Sequence, residues 1–247
     1  MFFRLDRAVA PHSSTHAPDR RSSRTEYSVA VSIASRLRQP FSGMSHALGA
    51  VLSAIGLVIL LIAAHGRPWH VVSFAIYGAT MIVLYAASAL YHSLDVGPDA
   101  LRRLNKLDHM AIFLLIAGTY TPLCLVTLRG AWGWSIFGTV WGLATVGMAA
   151  MMLWRGCPHW VRVTIYVLMG WIAVIALRPI SAALPPAGLW WLFAGGFAYT
   201  GGVVFYATEW PKRWPNVFDG HDLWHLFVMA GSACHYVLVL RFIGAAP

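Results

Sequence analysis

From residue 41 onward the chain alternates long apolar runs with short polar or Pro/Gly-rich breaks. Seven runs, roughly 43–64, 70–92, 108–128, 132–153, 161–183, 188–208 and 221–242, are each near the length of about 20 residues that crosses a bilayer as a helix. The breaks read HGRPWH, SLDVGPDALRRLNK, RGAWG, RGCPHW, LPPAG and EWPKRWPNVFDG. This pattern predicts an all-α integral membrane protein, a seven-transmembrane helix bundle. Pro122, Pro179 and the internal glycines predict kinks and close helix packing, which membranes tolerate.

Residues 1–40 depart from the pattern. They are polar, rich in Ser and Arg, and lack the apolar core of a secretory signal. The expectation is a basic, disordered cytoplasmic tail ahead of a transmembrane domain over 41–247, with VAVSIASRLRQ able to form a short interfacial helix.

Composition sharpens the membrane reading. Only 11% of the 247 residues are charged, against about 25% in a soluble domain. The net charge of +9 would suit nucleic acid, but its distribution does not. Seven of the 18 Lys and Arg precede residue 40, and no basic stretch carries interleaved aromatics. Placing the N-terminus inside puts 14 basic residues on inner segments and 4 on outer ones (Arg67, Arg129, Arg178 and Arg241). The positive-inside rule therefore predicts a cytoplasmic N-terminus and an external C-terminus, with membrane lipids as partners and no nucleic acid. Trp69, Trp132, Trp154, Trp160, Trp190, Trp210 and Trp214 fall near helix ends, where indoles anchor to the interface. Cys124, Cys157 and Cys234 form neither zinc-type spacing nor a disulfide framework. Oligomeric state and protein partners do not follow from the sequence.

The chemistry gathers at one face. Helix seven begins with HDLWH, helix two ends with SALYH and helix three begins with LDHMAIF. With alternating spans, all three reach the inner face, so Ser88, His92, Asp108, His221 and His225 converge on one depth. His221 and His225, like Ser88 and His92, are four residues apart and share a helix face. At about 100° per residue, Ser232 and His235 extend the His221 stripe, Thr119 aligns with Asp108, and Cys124 and Cys234 face away. Three imidazoles with an open fourth position describe a catalytic rather than a structural zinc site, and Zn²⁺ is the ion that suits neutral imidazole without redox chemistry. Asp108 would orient or deprotonate water, and Ser88 would donate a hydrogen bond. Each feature also has a plainer explanation: solvated interfacial histidines, Asp108 complementing the helix dipole, Ser88 bonded to its own backbone. The agreement of three helix ends favours the site, because ionisable groups in membranes are expensive. His46 is expected at the interface or behind the ligands, and Ser232 and His235 behind them. His109 is expected to point toward headgroups. His12, His16, His65, His70 and His159 are expected in solvated tail or loops.

SALYH, LDHMAIFLLIAGTYTP and HDLWHLFVMAGSACHY closely resemble the hemolysin III-related bacterial membrane proteins, which belong with the progestin and adipoQ receptor family and a wider superfamily containing alkaline ceramidases. The resemblance covers about residues 40–243. It implies zinc bound by His92, His221 and His225 near the cytoplasmic face of a bacterial inner membrane, with Ser88 and Asp108 beside it, and a zinc-dependent hydrolase of lipid amides of the ceramide type. Two other functions stay open: a non-enzymatic sensor of membrane lipid state braced by structural zinc, and the cytolysis that the family name denotes. The segment before helix one, SRLRQPFSGMSH, departs from the acidic, Asn-containing stretch of many members.

Overall fold

The computed structural model describes residues 37–154, 156–211 and 218–245. Of the tail expected over 1–40, residues 1–36 lie outside the described residues, as do the VAVSIASRLRQ segment up to residue 36 and Trp214. Seven helices long and apolar enough to cross a membrane follow: α1 Pro40–Ala63, α2 Pro68–Ser93, α3 Pro98–Thr127, α4 Ala131–Leu153, α5 His159–Ala183, α6 Pro186–Thr208 and α7 Gly220–Ile243. The protein is an all-α, multi-pass membrane protein.

Local chemistry sets the ends. Proline occupies the first helical turn of α1, α2, α3 and α6, where its missing N–H costs nothing. Gly130, at φ 130°, makes the sharp entry to α4 that a side chain would resist. One boundary differs from the sequence reading by ten residues: α3 starts at Pro98 rather than near 108. Pro98 and Asp99 supply a good first turn, and the charged face of the following turns projects beyond the apolar run.

Both anticipated prolines disturb their helices. Pro122 cannot donate to the Gly118 carbonyl, and Leu123–Thr127 winds as a π-helix before the chain leaves α3. Pro179 likewise offers nothing to Ile175, and Ile172–Ala176 is a 3₁₀ stretch in mid-α5. A side chain from another helix repairs this second break. The Tyr120 hydroxyl donates to the Gly170 carbonyl at 2.7 Å and accepts from the Ala173 N–H at 2.9 Å.

Sequential neighbours α1–α2, α2–α3, α3–α4 and α6–α7 pack most extensively, and α7 also lies against α1. Small residues permit the closest approach: a Cβ on Gly118 of α3 would stand 1.9 Å from the Thr80 hydroxyl of α2. Helices α1 and α7 are tied by Ser42, which donates to Asp222 at 2.6 Å. Helix α5 makes slighter contacts with α3, α4 and α6. A cavity of about 300 Å³ runs between α2, α3, α5, α6 and α7.

Candidate metal centre

The site begins with two helix ends. Asp219 caps α7 by accepting from the N–H groups of His221 and Asp222, while Asp222 returns a bond to the Asp219 N–H. This capping box fixes the start of α7 and so sets His221 and His225 one above the other. Opposite them, the last turn of α2 presents Ser88 and His92 on one face. His92 and His225 are buried, and His221 is half-buried.

Their nitrogens meet. His221 Nε2 lies 3.0 Å from His225 Nε2 and 3.4 Å from His92 Nε2. One ligating atom from each ring falls within 4.8 Å of the others, so the trio could hold a metal ion. Around a tetrahedral ion with metal–nitrogen bonds of about 2.0–2.1 Å, ligand nitrogens stand about 3.3 Å apart. The two spacings from His221 bracket that value. It is also hard to explain by hydrogen bonds alone, because His221 Nε2 has a single proton or lone pair for two nitrogen neighbours.

The other face of His92 argues the same way. Its Nδ1 meets Gln39 Oε1, which can only accept, so Nδ1 carries the proton and Nε2 presents its lone pair to the cluster. Gln39 is held there by backbone pairing of the segment before α1 with the end of α2: its N–H donates to the His92 carbonyl at 2.9 Å. Arg38 continues the pairing with its N–H on the Ser93 carbonyl at 3.4 Å, while its guanidinium donates to the Tyr91 carbonyl and stacks over the Tyr91 ring. The sequence reading missed Gln39. A signal existed only in its position just before α1, at the level of the histidines.

Of the two places expected for His46, the interface and a position behind the ligands, the structure gives the second. His46 is 3% exposed, its ring 3.8 Å from that of His225 and edge-on to Tyr85. Among the described residues, both of its buried ring nitrogens and Nδ1 of His225 have no hydrogen-bond partner. Asp108 and Ser88 line the same cavity as the triad. His109 also lines this cavity instead of turning to headgroups, and its Nδ1 donates to the Asn105 carbonyl at 2.8 Å. Thr119 lines it too, as its alignment with Asp108 predicts.

Ser232 and His235 form a separate polar layer farther along α7. Ser232 joins the hydroxyls of Tyr85 and Tyr199, each at 2.8 Å, and His235 bonds the Gly231 carbonyl at 3.0 Å while stacking on Tyr199. Neither has a hydrogen bond to the triad. Cys124 and Cys234 lie outside the cavity lining, and His65 and His159 are exposed, as expected. His70 is not solvated: it is buried in α2 beside Arg67. Trp69, Trp132, Trp154, Trp160, Trp190 and Trp210 are exposed, as interfacial anchors must be.

Comparison with known proteins agrees with this arrangement. The chain is 38% identical over 204 residues to Hemolysin-3 of Bacillus cereus, covering 82% of this chain and 90% of that one. It is 36% identical over 208 residues to the Hemolysin-3 homolog of Bacillus subtilis (strain 168), covering 83% and 94%. A more distant likeness, 25% over 183 residues, reaches the human monocyte to macrophage differentiation factor, covering 72% and 74%. The family model described as Haemolysin-III related matches residues 35–236, which include every residue of the triad and its surroundings. With its fold, its histidine-bearing helix ends and this match in agreement, the chain belongs to the haemolysin-III related family.

Proposed function

We propose that the protein is a zinc-dependent hydrolase of membrane lipid amides, working at the cytoplasmic face. One observation carries the reading: three imidazole nitrogens at metal-ligand spacing share an apolar cavity with the half-buried carboxyl of Asp108 and the buried hydroxyl of Ser88. His92, His221 and His225 would hold the ion, which when bound supplies a Lewis acid and lowers the pKa of water. The chain's own residues account for the rest. Asp108 takes the proton from the attacking water as the new carbon–oxygen bond forms, then returns it to the amide nitrogen as the carbon–nitrogen bond breaks. The products are a fatty carboxylate and an amine. Ser88, lining the cavity beside Asp108, would donate to the reacting oxygen or to the carboxyl, Gln39 holds the His92 ring, and the apolar walls receive the acyl chain and exclude bulk water.

The test is to load purified full-length protein with zinc and offer a panel of neutral and anionic lipid amides, with Asp108→Asn as control. Release of fatty acid by the wild type, abolished in the variant, supports the reading. No release from any amide in the panel defeats it.

A second reading is a sensor of membrane lipid state, favoured by the broken α5 and its slight packing around the cavity. Its test is a deletion strain, which should lose normal adjustment of lipid composition under cold stress. Wild-type adjustment would count against it.

A further inference from the structure

A second cavity, of about 520 Å³, adjoins the first at the histidine end of the bundle. Tyr91, Asn105 and Arg162 line both, so these side chains stand between the groove and the metal-site chamber. The groove is formed by the early turns of α3, the end of α4 and the start of α5. Arg102, Lys106 and Arg162 contribute three cationic groups to it, and no acidic side chain lines it among the described residues. Leu101, Met151 and the exposed Trp154 provide its apolar flank.

The general excess of basic residues at this end explains exposed Arg102 and Lys106. It does not explain Arg162. This guanidinium has no hydrogen-bond or ion-pair partner among the described residues, and its Nε is buried. A guanidinium carries five donors in a planar fork that matches phosphate oxygens, and leaving them unmatched in a partly desolvated place is costly. Arg102 differs, being exposed and paired with Asp99. The unmet need is therefore for an anion at Arg162, placed between interfacial tryptophan and the chamber.

We propose that this groove seats the phosphate of a lipid headgroup while the acyl chain of the same lipid enters the chamber, so that the substrate class is an anionic lipid amide rather than a neutral one. The proposal rests on the hydrolase reading, but headgroup binding can be measured without turnover. Arg162 supplies the bidentate contact, Lys106 a point charge at the mouth, and Trp154 an apolar rest for the glycerol region.

The experiment uses the full chain carrying His221→Ala, which removes a ligand and with it turnover, in nanodiscs of phosphatidylcholine. Fluorescent phosphatidylglycerol and phosphatidylcholine are the probes. The expected result is a preference of about tenfold for phosphatidylglycerol, lost on adding Arg162→Gln and kept with Arg129→Gln at the opposite end. Lys106→Gln, at an exposed position that folding does not depend on, should lower the preference about threefold and guards against a misfolded Arg162 variant. Equal binding of the two probes would overturn the proposal, as would equal losses in the Arg162 and Arg129 variants or an unchanged preference in Lys106→Gln. Glycerol phosphate is the remaining arm: displacement of the lipid by it at equal concentration would assign the groove to a soluble phosphate and overturn the lipid claim. Absence of amide hydrolysis in the zinc-loaded wild type would instead strike the hydrolase reading, so the two failures are distinct.

Discussion

Two polar layers cross the interior of this bundle, and they are built differently. In the Ser232 layer the hydroxyls of Tyr85, Ser232 and Tyr199 are joined at 2.8 Å, and His235 has its backbone carbonyl. In the histidine layer, ring nitrogens face each other at 3.0 and 3.4 Å, and nitrogens of His46 and His225 have no hydrogen-bond partner among the described residues. Buried polar groups in proteins are normally bonded, and in hydrocarbon the demand is stronger. The first layer meets that demand within the chain and reads as structure. The second does not, and reads as a place made for something else to bind.

The largest expected effect breaks the second layer alone. The His221→Ala, His225→Ala pair should take zinc from about one per chain to none by elemental analysis of purified protein, because a single remaining imidazole does not form a site. Retained zinc would erase the distinction between the layers. Next comes Asp108→Asn, expected to lower amide hydrolysis by about 10²–10⁴-fold while metal content stays at the wild-type level. Gln39→Leu should weaken zinc binding by about 10–100-fold in chelator competition, and Gln39→Glu, which still accepts from His92 Nδ1, should restore most of it. The smallest effect belongs to the first layer. Ser232→Ala takes the partner from the Tyr199 hydroxyl and leaves Tyr85 only the Val228 carbonyl at 3.5 Å, and should cost about 1–3 kcal/mol in thermal or denaturant unfolding, with zinc content unchanged. If it emptied the metal site, the two layers would be one unit.

What the sequence disclosed follows the range of each signal. Seven spans were readable because hydrocarbon thickness imposes a length on every apolar run. Ser88, His92, Asp108, His221 and His225 were readable because alternating spans must bring those helix ends to one level. Gln39 was not, since its place depends on a backbone pairing between residues far apart in the chain. Burial of His46 and His70 was equally hidden, because a histidine near a helix end has the same sequence context whether its helix face turns to lipid, solvent or neighbour. The early start of α3 was legible in Gly97–Pro98–Asp99 but was outweighed by the charge of the turns that follow. Ser232 and His235 were correctly set on the His221 stripe, yet angle alone gives no distance along the axis, and they form their own layer.

The Tyr120 bridge gives α5 an unusual dependence. One hydroxyl on α3 closes both sides of the gap in the backbone ladder of α5, accepting from Ala173 and donating to Gly170. The continuity of one span is thus stored in the side chain of another, while Trp171 donating to Thr200 and Tyr166 donating to the His109 carbonyl tie the same span to α6 and α3. A phenylalanine there would keep the ring and leave the Gly170 carbonyl and the Ala173 N–H without this partner, so the backbone of one span carries a debt that only a neighbour's hydroxyl settles.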